Sequence, residues 1–258
     1  MYYDQHVHTY FSFDSQAPFE GYLHQSQAPL VTTDHLEMAN PDDAGHNDLP
    51  NQLAYQQKRA ELRGAFPNRI LTGVECGYYA PCLKETYDYL RRADYDLVLL
   101  SFHHDGHHDF QDDFFQSVPK RAHVENYYQL MAAGVAEFEG ADVLAHFDYG
   151  LRVLDVTPAE LTAWVKPQLM TIFRMAVAKH LAFEVNTKSM FLWGNEALYE
   201  TALPWYQEAG GTLFTLGSDA HSNDKYEMDF DRAKAFLHRH GVTQLATYQQ
   251  HTPHLVDF

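Results

Sequence analysis

The stretch Tyr2-Tyr3-Asp4-Gln5-His6-Val7-His8-Thr9 opens on β-prone aromatic residues and closes on two histidines at i and i+2. Residues two apart on a strand project to the same side, so both imidazoles can face one point and chelate one metal. Alone, such a pair is equally compatible with unrelated polar residues at a strand end. The pattern gains force by repetition. Strand-like runs at Pro29 to Thr33, Ile70 to Glu75, Asp96 to Phe102, Asp142 to Ala145, Ala182 to Asn186 and Thr212 to Gly217 follow Tyr2 to Val7 along the chain. Between them, apolar residues recur at helical spacing over Gln52 to Ala65, Leu83 to Arg92, Val124 to Phe138, Ala159 to Lys179, Glu196 to Ala209 and Asp229 to His240. This alternation is the sequence form of βα units around a parallel sheet. Donor residues gather at one end of the runs: Asp34 and His35 after the second, Glu75 ending the third, His103 after the fourth, His146 after the fifth, Asp219 and His221 after the seventh. In a parallel barrel those ends share one face, where barrel active sites lie.

One domain over residues 1–258 is expected. Val242 to Tyr248 is a candidate eighth strand with weak alternation, and Asn40 to Pro50 and Gly106 to Val118 read as loops. Thr157-Pro-Ala-Glu160 signals a helix start, with an N-cap, a proline at the first helical position and a glutamate at the third. Pro167 is expected to kink or interrupt that helix.

Composition narrows the function. Eighteen Lys and Arg against 35 Asp and Glu give a formal charge of −17, which disfavours nucleic acid as a partner. Two cysteines make no disulfide framework, and no long apolar run suggests secretion or a membrane, so a cytoplasmic location is expected. Histidine, at 17, outnumbers glycine, at 14, which suits a chain built around metal ligands or acid/base groups. Imidazoles and carboxylates without thiolate fit Zn, Mn or Fe, and the donors exceed the needs of one ion. Two or three divalent ions are implied, an arrangement suited to clamping the attacking and leaving oxygens of phosphoryl transfer.

The set His-Val-His-Thr at 6–9, Thr-Asp-His at 33–35, Gly-Val-Glu at 73–75, Ser-Phe-His at 101–103, Ala-His at 145–146 and Gly-Ser-Asp-Ala-His at 217–221 resembles the PHP (polymerase and histidinol phosphatase) superfamily. Spacing and length are most similar to its stand-alone histidinol-phosphatases. The resemblance implies a distorted (β/α)7 TIM-like barrel with three metals. It implies one ion on His6, His8, Glu75 and Asp219, and a second sharing Glu75 with His103 and His146. A third would use His35 and His221, with Asp14 standing where many members have histidine. It further implies hydrolysis of L-histidinol phosphate in histidine biosynthesis. Hydroxide held between metals would then be the nucleophile, and Asp219 or His221, at the last strand end, is expected to move a proton.

Arg152, on the loop after the fifth strand, is a candidate phosphate ligand, with Lys188 and Ser189 as further candidates and Asn186 to orient them. Asp34 reads as a carboxylate orienting the His35 ring. His104, His107 and His108 read as loop residues, and His24, His46, His123, His180, His238, His240, His251 and His254 as surface or capping residues. Cys76 reads as core packing. Asp42, Asp43 and Asp148 are candidates for meeting a substrate ammonium. Two alternatives remain: a PHP phosphoesterase for another small phosphate ester or nucleotide, and a non-catalytic metal-binding protein keeping the fold.

Overall fold

The computed structural model describes residues 1–258. Strands β1 (Leu30–Thr32), β2 (His35–Asn40), β3 (His46–Asp48), β4 (Ile70–Gly77), β5 (Leu97–Ser101), β6 (Val143–Leu144), β7 (Ala182–Asn186) and β8 (Phe214–Gly217) form one sheet. From β4 to β8 every pairing is parallel, with helices α2 (Gln52–Ala65), α3 (Leu83–Leu90), α5 (Lys120–Glu137), α6 (Pro158–Ala178), α7 (Glu196–Glu208) and α8 (Phe230–Arg239) in the connections and after β8. Both β1 and β2 run parallel to β4, in a register that sets His35 beside Glu75.

The N-terminal stretch joins the two ends of this sheet but is not a regular strand. Gln5 N–H donates to Leu216 O at 3.0 Å, His8 N–H to Ala220 O at 2.8 Å, and Thr33 N–H to Val7 O at 2.7 Å. Regular pairing fails because side chains take the backbone donors: His6 N–H goes to Asp4 Oδ1 (3.1 Å) and Val7 N–H to Thr33 Oγ1 (3.0 Å). Asp4 also accepts from Ser218 N–H at 2.9 Å, tying the stretch to the end of β8.

Alternate strand residues pack on opposite sides. Val98, Leu100, Leu144 and Phe183 join the aromatic core beneath α5, α6 and α7, whereas Leu71, Leu97, Leu99, Val143 and Ala182 form an inner cluster. Ala246 and Tyr248 complete that inner cluster. They lie on β9 (Gln244–Gln249), which pairs antiparallel with β10 (Thr252–Asp257) in a separate hairpin. The run at Val242 to Tyr248 is therefore not an eighth barrel strand. It plugs the floor of the barrel, with Tyr248 Oη donating to Asp142 O at 3.1 Å, and leaves the opposite face for the donors.

Other expectations need correction. The loop at Asn40 to Pro50 contains β3, which pairs antiparallel with β2, and Gly106 to Val118 contains the short helix α4 (Phe114–Ser117). A short helix α1 (Phe19–Leu23) has no counterpart in the expected pattern. The Thr157 capping box forms as read. Pro167 does not interrupt α6, because Leu161, Val165, Leu169, Ile172 and Phe173 are buried along the same helix. Burial of several such side chains, each contributing about 1.5–3 kcal/mol, exceeds the roughly 3 kcal/mol that an interior proline costs.

Candidate metal centre

Glu75 ends the buried core of β4, and its carboxylate lies at the middle of the cluster. Its Oε1 is 2.7 Å from His146 Nε2 and 3.0 Å from His103 Nε2. Its Oε2 is 3.1 Å from both His6 Nε2 and His35 Nδ1, and 3.4 Å from His8 Nε2. Toward the mouth, Asp14 Oδ2 approaches His221 Nε2 at 2.9 Å and His35 Nε2 at 3.6 Å. Asp219 Oδ1 lies 3.7 Å from His8 Nε2. The structure thus brings together His6, His8, Asp14, His35, Glu75, His103, His146, Asp219 and His221. Donor atoms of His6, His8 and Glu75, of His35, Glu75 and His103, and of His8, His35 and His221 each fall within 4.8 Å of one another.

Hydrogen-bond bookkeeping shows that this set fits cations. Ser12 Oγ has one proton and gives it to Asp34 Oδ1 (2.9 Å), so it accepts from His8 Nδ1–H at 3.0 Å. His6 Nδ1–H donates to Glu184 Oε1 at 2.6 Å. In the neutral rings both Nε2 atoms are then lone pairs, and they face each other at 3.0 Å beside a carboxylate. Opposed lone pairs at that distance need a positive charge between them, a shared proton or a metal ion. Glu75 Oε2 and His35 Nδ1 are likewise buried without a hydrogen-bond partner. Burial by itself lowers the His6 pKa, yet Glu184, Glu75 and Asp219 together hold it well above its usual value. The same negative charge that draws in a proton would hold a divalent ion.

Two acidic residues of the site lie outside the sequence reading. Glu184 sits inside β7, accepting from His6 Nδ1–H and, through Oε2, from His146 N–H at 2.7 Å. Glu37, on β2, accepts from His103 Nδ1–H. Both are buried carboxylates orienting imidazoles, the usual outer partners of metal-bound histidines. Each needs a glycine opposite: a Cβ on Gly217 would come within 2.4 Å of Glu184 Oε1, and one on Gly77 within 2.1 Å of Glu37. The available signals were strand alternation, which puts Glu184 on the face of Asn186 and Glu37 on that of His35, and acidic residues inside otherwise apolar runs.

Basic residues stand on the other side of Asp219. Arg152 is buried, donating to Asp219 Oδ2 at 3.0 Å and through Nε and Nη2 to Ser189 Oγ at 3.0 and 2.8 Å. Lys188 Nζ is 3.0 Å from Asp219 Oδ1. A small cavity of about 50 Å³ is lined by Arg152 and Lys188 together with Asp14, Glu75, Asp219 and His221. Ser189 holds Arg152 and does not line that cavity, and Asn186 Oδ1 approaches Arg152 Nη2 at 3.4 Å. Asp219 has φ 54°, a left-handed conformation that costs an aspartate energy and is characteristic of functional positions.

Asp34 acts on a different ring from the one expected: it accepts from Thr9 and Ser12, and Ser12 orients His8. His123 is no surface residue. It is buried and donates to Gly150 O at 2.6 Å. His104 is buried rather than looped out, whereas His107 and His108 stay on the loop. Cys76 is buried in the core as read.

Asp148 is buried against Tyr199 Oη and Asn195, and Asp43 is exposed, so of the three ammonium candidates only Asp42 lines a cavity beside the cluster. No helix is long and apolar enough to cross a membrane.

Comparison with known proteins agrees with this geometry. The chain is 26% identical over 256 residues to the histidinol-phosphatase of Lactococcus lactis subsp. lactis, covering 95% of this chain and 93% of that one. It is 25% identical over 243 residues to a probable histidinol-phosphatase of Clostridium acetobutylicum, covering 90% and 91%. Its fold superposes with a TM-score of 0.87 on the crystal structure of histidinol phosphate phosphatase from Lactococcus lactis, complexed with zinc, L-histidinol and phosphate. That match spans 97% of this chain and 98% of the other at 24% identity. The PHP domain model matches residues 4–188. With that match over most of its length and the donor cluster in place, the chain belongs to the PHP domain family.

Proposed function

We propose that the protein is a metal-dependent phosphatase that hydrolyses L-histidinol phosphate to L-histidinol and phosphate. The observation that carries this reading is the adjacency of two compartments. The inner cavity joins Arg152 and Lys188 to the donor cluster, and an outer bay of about 320 Å³ opens from it, sharing Asp14, His35, His103, Gln111 and Tyr149. Asp42, Asp109 and Asp112 line the bay together with Phe13 and Tyr149. A phosphate fits the cationic inner end, an ammonium the acidic wall, and an imidazole the aromatic rings. L-Histidinol phosphate carries all three groups in that order. The relatives' names and the ligands of the Lactococcus structure support the same substrate.

Two or three divalent ions, held by His6, His8, Asp14, His35, Glu75, His103, His146, Asp219 and His221, would supply Lewis acidity and a lowered pKa for attacking water. The remaining work falls to the chain's own groups. Arg152, fixed by Ser189 and Asp219, and Lys188 bind the phosphoryl oxygens and stabilise the charge that grows on them. Burial would raise the Asp219 carboxyl, but Lys188, His6 and Arg152 hold it well below the usual carboxylate range, which suits a fixed anion rather than a proton carrier. His221 Nδ1 donates to Asp219 O at 3.0 Å and its Nε2 faces the cluster, so its ring is also committed and the leaving alkoxide takes its proton from water at the mouth of the site.

The test is kcat/KM for L-histidinol phosphate against glycerol phosphate and nucleoside monophosphates. A preference of about a hundredfold or more is expected where buried polar groups recognise the leaving group. A flat profile would assign the protein to another phosphate ester.

A further inference from the structure

The loop after β5 carries His104, which belongs to neither the donor set nor the phosphate-binding groups. Its ring is only 2% exposed. Gly106 N–H donates to His104 Nδ1 at 3.0 Å, so that nitrogen is the acceptor and the neutral ring carries its proton on Nε2. His104 Nε2 lies 3.3 Å from Glu37 Oε2, within ion-pair distance though out of line for a hydrogen bond, and both atoms are buried without a hydrogen-bond partner. The other oxygen of Glu37 accepts from His103 Nδ1–H, and His103 Nε2 points at Glu75.

We propose that His104 positions the metal-facing ring of His103 by holding Glu37, forming a chain of contacts from His104 through Glu37 and His103 to the cluster. The proposal rests on the reading that the cluster binds metal. Glu37 has a free choice of rotation about its terminal bond unless both oxygens are restrained, and His104 is the group set against the second. With both held, the carboxylate plane is fixed, His103 is locked in the tautomer that donates from Nδ1, and its Nε2 lone pair is left beside Glu75 Oε1, where the two would hold an ion between them. Outer partners of this kind typically change metal affinity by about 10- to 100-fold. His104 is adjacent to His103 in sequence, so one loop supplies both the donor and the far end of its support. Gly106, at φ +90°, turns that loop back so that His104 points inward.

The two ring nitrogens have separable jobs, and two substitutions separate them. An asparagine amide oxygen can replace Nδ1 and keep the bond from Gly106, losing contact with Glu37. A glutamine amide nitrogen can replace Nε2 and keep the donor to Glu37, losing the turn. The experiment titrates Zn²⁺ and Mn²⁺ onto chelator-stripped full-length protein by calorimetry, for wild type, His104→Asn, His104→Gln and Glu37→Gln, with a thermal melt of each stripped protein. Affinity for the ion that Glu75 and His103 would share is expected to fall about tenfold or more in His104→Asn and Glu37→Gln and to stay near wild type in His104→Gln. Equal affinity in all four, or a loss in His104→Gln that matches its drop in melting temperature while His104→Asn is spared, overturns the proposal. A wild-type chain that takes up no metal overturns the metal reading itself, and the proposal with it.

Discussion

Replacing Glu184 by glutamine should disable His6 as a donor while leaving the barrel intact. Glu184 Oε2 accepts from the backbone N–H of His146 (2.7 Å) and from Asn186 Nδ2 (3.2 Å), so a glutamine must place its carbonyl oxygen there. Its NH2 group then occupies the position of Oε1, which is 2.6 Å from His6 Nδ1. Two donors cannot face each other at that distance, and the ring must move its proton to Nε2, the atom that faces His8 and Glu75. A charge-assisted hydrogen bond is worth about 1.5–3 kcal/mol, which corresponds to roughly a 10- to 100-fold loss of metal affinity. The assay is activity against free metal concentration in chelator buffers, with a thermal melt of the metal-free protein as control. Half-maximal activity should need correspondingly more metal while the metal-free melt shifts little. Gly217→Ala should show the same defect by steric means, because its Cβ would stand 2.6 Å from His6 Cβ. An unchanged metal requirement in Glu184→Gln would refute the tautomer reasoning.

Three further outcomes follow from other parts of the molecule. Lys188→Met removes a cation 3.0 Å from Asp219 and should lower kcat/KM about a hundredfold with metal content preserved, as assayed by steady-state kinetics and elemental analysis. Thr157→Ala opens the α6 capping box and should cost about 1 kcal/mol in denaturant unfolding with activity unchanged. Burial holds the His123 pKa below its ordinary 6.5, so the unfolded chain takes up a proton that the folded one resists. Its contribution to stability is present above that value and lost as pH falls below it. His123→Gln keeps the donor to Gly150 and should flatten the stability profile there, measured by urea unfolding across the acid range.

The ring of strand ends was legible because it is written in local sequence: donors following β-prone runs, at a common end, with helices between. What escaped depends on pairing at a distance. Glu184 and Glu37 are ordinary acidic residues until the fold sets them against His6 and His103, and the glycines that make room for them lie on neighbouring strands. The first run looks like a strand by its side chains, yet Asp4 and Thr33 claim its backbone donors, a competition that propensity does not register. The hairpin of β9 and β10 carries the same composition as a barrel strand, and only its packing beneath Tyr3 and Val143 assigns it to the floor. His123 and His104 are polar residues whose buried neighbours, Gly150 O as an acceptor and the Glu37 carboxylate 3.3 Å away, are brought from elsewhere in the chain.

The most direct measurement is elemental analysis of the purified protein paired with its activity on L-histidinol phosphate before and after chelation. Two or three equivalents of divalent metal per chain, activity abolished on stripping and restored by adding Zn²⁺ or Mn²⁺, are predicted. Full turnover by protein shown to be free of metal would contradict the account.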